Sequence, residues 1–278
     1  MQTESKTHHI LLKGNTRKPF ESVFPLVFKD ADNRISIGAY REDGAVLGAL
    51  SLVLSDNQYT IDWLYVIPET RRQHIATGLI KEFQNFIVHT GERYPVSARF
   101  PVTGEDTSLH RFFLSLSGVD VAYSHERFYV TPDKIRKAAP IHLNTADSAQ
   151  TMKFFENKED WQRKTLRLLE RTYGYTVTDY AAWKEDCVPE LCLCLSVQNN
   201  LICGIFVQRA AEHMLELSWL YGKYPPGLFQ LLAKAAQEAE CLYPEDALTF
   251  EVINEKSEKL AQRLFPNARS VAIYEAGW

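Results

Sequence analysis

The residues best suited to chemistry lie in one short stretch, where an apolar segment ending at Val66 meets Pro68 and then a basic run that begins at Arg71. Apolar residues at steps of three and four follow, and they predict an amphipathic helix over about residues 72–89. Amides at a helix start have no acceptor inside the helix, and the positive end of the helix dipole lies there. This order of strand, turn, arginines and helix start is therefore typical of a phosphate-binding site.

Two arginines strengthen this interpretation. Arg71 and Arg72 place positive charge at a helix start, where cations oppose the helix dipole and are usually disfavoured. The alternative is an ordinary pair of solvated surface arginines. An anion bound at the site explains the arrangement better, so the sequence favours a phosphate ligand.

The surrounding elements have the periodicity of a mixed α/β fold. The predicted elements of the first half are strands 35–41, 45–55 and 58–66, a helix 72–89, a strand 96–100, a helix 106–116 and one or two strands within 119–130. The first three strands form an antiparallel meander, and Asp106 or Thr107 is expected to cap the second helix.

A second cycle of elements follows a charged stretch with little periodicity near residues 132–145, which is expected to be a linker. The predicted elements of the second half are a helix 146–173, strands 190–197, 201–208 and 213–221, and a helix 225–239. The chain is thus expected to contain two domains.

The two halves share a register of 156 positions. Gly48 corresponds to Gly204, and Trp63-Leu64-Tyr65 corresponds to Trp219-Leu220-Tyr221. A few identities can arise by chance, but the turns before the second strand coincide as well, so an internal duplication is the better explanation. After Tyr221 the second copy has no basic run and carries Pro225-Pro226, which lack amide hydrogens. It is expected to keep the fold without the anion site.

The first copy resembles the acetyl-CoA-binding core of the GCN5-related N-acetyltransferase (GNAT) family. In that family the signature Arg/Gln-x-x-Gly-x-Gly/Ala follows a strand ending in Val-x-Pro. It stands here as Arg71-Arg72-Gln73-His74-Ile75-Ala76, with His74 at the glycine position. The resemblance is specific over about residues 35–130 and topological over 146–278.

The resemblance implies the fold and the domain limits. The fold class is α/β with a mixed sheet, in two tandem acetyltransferase-like domains. Each domain is a mostly antiparallel sheet flanked by helices, with one parallel strand pair that splays apart. The expected limits are residues 1–132 and 146–278, joined by a linker at 133–145.

The resemblance also implies an acyl-CoA donor, most simply acetyl-CoA, whose arm lies between the splayed strands. A backbone amide near Leu64, Tyr65 and Val66 would face the thioester carbonyl, and amides from Arg72 to Thr77 would hold the diphosphate. The residues implied in donor binding are Leu64, Tyr65, Val66, Arg71, Arg72, Gln73, His74, Ile75, Ala76, Thr77 and Thr107. His74 either faces outward, contacts a phosphate or weakens donor binding.

The proton-transfer groups are less defined. Asp62 is the best-placed candidate base, although it is also well explained as a hydrogen-bonded or edge aspartate, and His110, Tyr123, His125 and Glu126 remain alternatives. The tyrosine that serves as the general acid in the family would fall near Phe113 or Leu114, and neither residue has a hydroxyl. The expected activity is transfer of an acetyl or other short acyl group from CoA to a primary amine of a small molecule or peptide. The alternative is an inactive acyl-CoA-binding or interaction protein.

Composition excludes several other classes. A net charge of −4 and a pI near 6.1 argue against a nucleic-acid partner, and no apolar run approaches the ~20 residues that span a bilayer. The chain is expected to be cytoplasmic, with five reduced and mostly buried cysteines. Cys192 and Cys194 share one strand face and suit packing better than metal binding, so no metal is expected. Nothing indicates an oligomer.

Overall fold

The computed structural model of the 278-residue chain describes residues 6–23, 33–55, 57–91, 93–104, 106–138, 150–173, 177, 180–211, 213–265 and 268–278. They form two compact units. The first takes in the chain up to Ser124 together with Ala272–Trp278, and the second is His125–Val271.

The elements follow the predicted cycles. In the first half of the chain they are β1 Thr7–Leu11, a 3₁₀ helix Gly14–Val23, β2 Arg34–Arg41, β3 Val46–Ser55, β4 Gln58–Val66, a 3₁₀ turn Pro68–Thr70, α1 Ile75–Thr90, β5 Val96–Val102, α2 Ser108–Leu114 and β6 Asp120–Val130. The remainder are α3 Pro132–Ala138, β7 Gln150–Lys153, a 3₁₀ turn Phe154–Glu156, α4 Glu159–Tyr173, α5 Tyr180–Asp186, β8 Leu193–Val197, β9 Asn200–Ala211, β10 Met214–Gly222, α6 Pro225–Leu242, β11 Ala247–Val252, α7 Glu255–Leu264 and β12 Ser270–Gly277.

The sheet of the first unit has the strand order β1-β2-β3-β4-β5-β12. Its pairs are antiparallel except for β4 and β5, which run parallel. Helix α1 covers one face, because Leu79, Ile80 and Phe83 recur at helical spacing and are buried against the sheet. The 3₁₀ helix Gly14–Val23 covers the other face, where the Trp63 indole N–H donates to the Val23 carbonyl at 2.9 Å.

The sheet of the second unit repeats this plan, with the order β6-β11-β10-β9-β8-β7 and a parallel pair at β10 and β11. Helix α6 packs on one face, and α4 and α5 pack on the other around Phe154 and Trp183. The predicted fold class, two acetyltransferase-like mixed sheets with a parallel pair in each, is therefore confirmed.

A β-bulge stands at the same place in each copy. In the first unit Ser51 faces Trp63 and Leu52 faces Ile61, so Asp62 is the extra residue of β4. In the second unit the extra residue of β10 is Ser218, between Leu217 and Trp219. A bulge changes which face the following side chains occupy, and here it places Asp62 and Trp63 on the same side of the sheet. The duplication predicted from the sequence thus extends to an irregularity of the backbone.

Each unit is completed by a strand from the other half of the sequence. The C-terminal strand β12 pairs antiparallel with β5, from Ala272 opposite Val102 to Gly277 opposite Ser97. Strand β6 pairs with β11 of the second unit, from Glu126 opposite Val252 to Val130 opposite Leu248. The contiguous domains expected from the sequence and the compact units differ at these strands, because periodicity does not reveal which sheet edge a strand joins.

Two further segments differ from expectation. Part of the stretch predicted as a linker is helix α3, whose Ile135 is buried and whose Arg136 Nε lies 2.7 Å from Glu240 Oε2 of α6; residues 139–145 lie outside the described chain. The helix predicted over 146–173 is wrong at its start, since Gln150–Lys153 pairs with β8 and the helix begins at Glu159. Pairing at a sheet edge outweighs local propensity there. Residues 146–149 lie outside the described chain.

Candidate functional site

A cleft opens between β4 and β5. The two strands pair only from Tyr59 opposite Val96 to Ile61 opposite Ala98, yet they continue to Val66 and Val102. Beyond Ile61, β4 keeps its pairing with β3, and β5 is held by β12 instead. Over its last residues, one edge of β4 therefore has no strand partner within the described chain.

Ladder geometry shows which backbone groups line this edge. The Ile67 N–H donates to the Leu47 carbonyl at 3.0 Å, toward β3. Bonded and non-bonded residues alternate along an antiparallel pair, so the peptide groups of Tyr65 also face β3. Those of Leu64 and Val66 face the cleft. Two N–H donors and two carbonyl acceptors are thus presented where a further strand would bind.

The helix start lies at the mouth of this cleft. The first hydrogen bond into α1 joins the Gly78 N–H to the His74 carbonyl at 2.9 Å. Within the described chain, the six amides from Arg72 to Thr77 have no hydrogen-bond acceptor, and no side chain caps the helix. Unsatisfied N–H groups at the positive end of a helix dipole form an anion-binding surface.

Two residues of the loop before α1 have left-handed backbone. Arg72 has φ 64°, and His74 has φ 60° and ψ 16°. Residues with a Cβ atom are strained in this region, which explains why the matching signature position is glycine in the resembled family. The His74 side chain is exposed. The histidine therefore adopts the backbone geometry expected of the glycine that it replaces.

Arg71 lies across the open edge of β4. Its Nε donates to the Val66 carbonyl at 3.1 Å, which occupies one of the acceptors that face the cleft. Asp106 stands two residues before α2, and its pKa is lowered mainly by hydrogen bonding with Ser108, with a smaller contribution from the charge of Arg71. Asp106 Oδ1 accepts the Ser108 N–H at 2.9 Å, whereas the Thr107 side chain makes no capping bond. Thr107 is thus the N-cap residue of α2 by position, and the side-chain bond to the start of the helix comes from Asp106.

Asp62, the candidate base, is paired with a guanidinium. Arg34 of β2 donates to the Asp62 carboxylate and also to Ser51 Oγ, at 2.9 Å for the latter contact. About a third of the Asp62 side chain is exposed. The bulge and the ion pair fix the carboxylate on the sheet face opposite α1, beside Trp63.

The alternative candidates separate into two groups. His110 of α2 and Tyr123 of β6 lie in the first unit, and both contact the ring of Tyr274 from β12, with ring centroids 4.7 and 5.9 Å away. His125 and Glu126 belong to the second unit. Sequence reasoning missed Tyr274, because no local signal shows that the last strand completes the first sheet.

Neither residue at the expected position of the acidic tyrosine can donate a proton. Phe113 is 2% exposed and stacks on Phe100, with centroids 4.9 Å apart. Leu114 is exposed. The apolar packing of Phe113 accounts for its side chain, since it fills the space between α2 and β5.

The second unit has the same splay without the anion-binding loop. β10 and β11 pair only from Met214 to Glu216, and the strands continue to Gly222 and Val252. Eight residues separate β4 from α1, but only two separate β10 from α6, which begins with Pro225-Pro226. The side chains around the second splay are apolar and enclose a small cavity lined by Leu217, Leu220, Leu232, Phe250, Leu260 and Phe265, among others.

A charged cluster lies on the sheet of the second unit. Glu251 of β11 accepts hydrogen bonds from Arg127 and lies 3.2 Å from Nε2 of the buried His125. Burial alone would raise the pKa of Glu251, but the bonds and charges of Arg127 and His125 outweigh it and lower the pKa. The pKa of nearby Glu216 is raised by burial and then by the charge of Glu251. Only the pairing of β6 with β11 assembles this cluster.

The cysteines of the described residues are free thiols. Cys187, Cys192, Cys194 and Cys203 are buried free thiols and Cys241 is exposed, which confirms the expectation of mostly buried cysteines. No helix in the described ranges is long and apolar enough to cross a membrane. The same ranges contain no group of three or more histidine, cysteine, aspartate or glutamate side chains arranged to hold a metal ion.

Comparison with known proteins bears on this geometry. Residues 6–115 match the profile of the Acetyltransferase (GNAT) family. No curated protein matches the sequence in a direct search.

Solved structures match over nearly the whole chain. A tandem GNAT protein from the clavulanic acid biosynthesis pathway is 14% identical, covers 98% of both chains and has a TM-score of 0.72. A GCN5-related N-acetyltransferase from Sphaerobacter thermophilus is 14% identical over 90% of this chain and 82% of its own, with a TM-score of 0.61. A glucosamine N-acetyltransferase region of a fungal multi-domain β-N-acetylglucosaminidase is 11% identical over 99% of this chain and 38% of its own, with a TM-score of 0.64.

At these identities the likeness shows the fold, and the profile match shows the family of the first copy. Residues 6–115 therefore belong to the GNAT family of acetyltransferases, in a chain that has the fold of tandem GNAT proteins.

Proposed function

We propose that the first unit is an N-acyltransferase that moves an acetyl or other short acyl group from CoA to a primary amine of a small molecule or peptide in the cytoplasm. One observation carries the proposal: the pairing of β4 with β5 stops at Ile61, and this unpaired edge leads to six amides at the start of α1 that have no acceptor among the described residues. The GNAT profile match over residues 6–115 supports the same reading.

The residues present fit an acyl-CoA donor. An amide-bearing arm can pair with the peptide groups of Leu64 and Val66 as an additional strand would. The amides from Arg72 to Thr77, with the side chains of Arg71 and Arg72, supply donors and positive charge for a diphosphate. The peptide groups of Tyr65 face β3, so Tyr65 does not pair with the arm itself. It holds β4 in place between Leu64 and Val66. Bound acyl-CoA would supply an activated thioester.

The chain's own contribution to the reaction is positioning and charge stabilisation. An N–H of Leu64 or Val66 directed into the cleft can stabilise negative charge that develops on a carbonyl oxygen. Fixing an amine against the thioester supplies much of the rate without a dedicated acid. For Asp62, which lies on the sheet face opposite α1 and is paired with Arg34, we propose the role of holding an amine or its proton near the bulge.

A second function has an observation in its favour. Phe113 is buried in the place where the resembled family carries its acidic tyrosine, and the candidate base is engaged in an ion pair. These features suit an acyl-CoA-binding protein without turnover. In that case the unit would respond to acyl-CoA and would not consume it.

Calorimetric titration of the full chain with acetyl-CoA, followed by release of free thiol across a panel of primary amines, separates the two functions. An N-acyltransferase binds acetyl-CoA and releases CoA with at least one amine. Binding of acetyl-CoA without release of CoA on any amine supports the acyl-CoA-binding protein without turnover. A chain that binds neither acetyl-CoA nor CoA at millimolar concentration has neither function.

The second unit provides a control for the location of the site. Substitutions at Pro225 or Pro226 are expected to leave acetyl-CoA affinity unchanged, because that helix start lacks the loop of unsatisfied amides. Loss of affinity after such a change would place the site in the second unit.

A further inference from the structure

We infer that Arg71 is a specificity-determining residue that makes the donor site select thioesters carrying a diphosphate over those with the pantetheine arm alone. The inference rests on the proposed function, and it concerns which donors can open the edge of β4. It follows from the contact between the Arg71 guanidinium and the Val66 carbonyl.

The carbonyl in question belongs to the site itself. Val66 is the last residue of β4, and its peptide groups face the cleft. Its oxygen is therefore an acceptor that an incoming amide-bearing arm would use. Arg71 Nε already donates to this oxygen at 3.1 Å, so the arm and the arginine compete for one acceptor.

A diphosphate changes the outcome of this competition. Arg71 is exposed, and a single bond from an exposed guanidinium to a neutral carbonyl is modest in free energy. Two phosphate oxygens offer the same guanidinium a charge-assisted, bidentate arrangement that is considerably stronger. A donor with a diphosphate thus draws Arg71 off Val66 while its arm takes the vacated carbonyl. A donor without one must displace Arg71 uncompensated.

Asp106 adds to the hold on Arg71 in the free protein. Its carboxylate lies at the start of α2, close enough for the charge of Arg71 to affect it, so the guanidinium is attracted to the mouth of the cleft when no other anion is present. Arg72 is next in sequence and also exposed, and within the described chain no hydrogen bond joins its side chain to β4. It serves as a matched control that changes the same charge.

The experiment compares acetyl-CoA with S-acetylpantetheine, which has the same thioester and arm without the diphosphate. Dissociation constants are measured by NMR titration for the wild type, Arg71→Ala and Arg72→Ala. Arg71→Ala is expected to weaken acetyl-CoA binding about tenfold, since a charge-assisted phosphate contact is lost. It is expected to strengthen S-acetylpantetheine binding about threefold, since the Val66 carbonyl is released. Arg72→Ala should weaken acetyl-CoA binding and leave S-acetylpantetheine unchanged.

The result expected for Arg71→Ala is that the affinities for the two donors change in opposite directions. It is overturned if S-acetylpantetheine binding is unchanged or weaker in that variant while the wild type still binds acetyl-CoA. If the wild type binds neither donor, the proposed function fails, which is a different result. Arg71→Met, which keeps the aliphatic stem, repeats the test should the alanine variant be unstable, and must give the same opposite movement.

Discussion

Asp62 of β4 and Ser218 of β10 are each the extra residue of a β-bulge, and they stand 156 positions apart, which is the period of the internal repeat. The copies therefore share one register through the bulge of the central strand. They part at the next segment, where the first has an eight-residue loop and the second has two residues before its helix. Within the described chain the two copies thus share the strand scaffold and the bulge, and they differ in the loop that carries the amides without acceptors.

The amides of that loop are tested by Ala76→Pro. Proline removes one N–H at the second position of α1, a position that proline already occupies in α6. We expect acetyl-CoA affinity to fall about tenfold, as for loss of one bond to a charged group, with the fold retained. Calorimetry and thermal unfolding measure the two effects. Ala76→Ser keeps the amide and should bind normally; equal affinity of both variants with the wild type would show that this amide does not contact the donor.

The left-handed backbone of His74 predicts a stabilising substitution. His74→Gly relieves the strain at φ 60° and should raise the free energy of unfolding by about 0.5–1 kcal/mol, after the entropy cost of glycine. Denaturant unfolding measures the change. Gln73→Gly, at a neighbouring position without positive φ, should instead lose about as much. Unchanged acetyl-CoA affinity in His74→Gly would show that the imidazole faces outward, and a loss would assign it a phosphate contact.

Phe113→Tyr tests whether the missing acid can be restored. Because Phe113 of α2 is buried against Phe100 of β5, the added hydroxyl is expected to lack a partner and to cost about 1–3 kcal/mol of stability without raising kcat. Phe112→Tyr, on a half-buried neighbour, should change stability by less than about 0.5 kcal/mol. A gain in kcat for Phe113→Tyr would contradict this view of the packing and place residue 113 beside the leaving thiol.

The charged cluster of the second unit predicts a pH-dependent stability. Burial and the charge of Glu251 raise the pKa of Glu216 above its ordinary value of 4.5, so the ionised form destabilises the folded state at neutral pH. Glu216→Gln is expected to raise the free energy of unfolding at pH 7. The gain should shrink as the pH falls through the raised pKa and disappear below about 4.5, where the wild-type carboxyl is protonated in both states.

Glu251→Gln is the matched control, with the opposite sign. Its pKa is lowered by Arg127 and His125, so its ionised form stabilises the fold above its ordinary pKa, and that stability is lost as the pH falls through the lowered value. Neutralising it should destabilise the second unit at pH 7. Thermal melts between pH 4 and 8 measure the stability of both variants. A change of stability of the same sign in both at pH 7 would contradict the charge interactions assigned to this cluster.

Much of the fold is legible in local patterns. The limits of β4 follow from alternation, and helical spacing predicts α1, whose observed start at Ile75 lies three residues after the predicted one. The repeat could be read because Trp63 and Trp219 keep their register. The signature that begins at Arg71 predicts which residues form the loop, but it does not predict their contacts.

The contacts that the sequence does not predict depend on pairing between strands that are far apart in the chain. Tyr274 reaches His110 only because β12 joins β5, and Glu251 reaches His125 only because β6 joins β11. The contact of Arg71 with Val66 depends on the loop conformation, including left-handed backbone at Arg72 and His74, which residue types do not dictate. Local propensity carries no information about these choices.

The exchange of β12 sets an order of events during synthesis. Strand β5 is made early, yet its outer partner begins at Ala272, 170 positions after Val102. At translation rates of roughly 5–20 residues per second, β5 waits on the order of 10–30 seconds for that partner. A nascent chain in this interval has an unpaired edge on β5, which invites association with other chains. The sheet of the first unit is therefore complete only after residues 272–277 have been synthesised, long after its other strands.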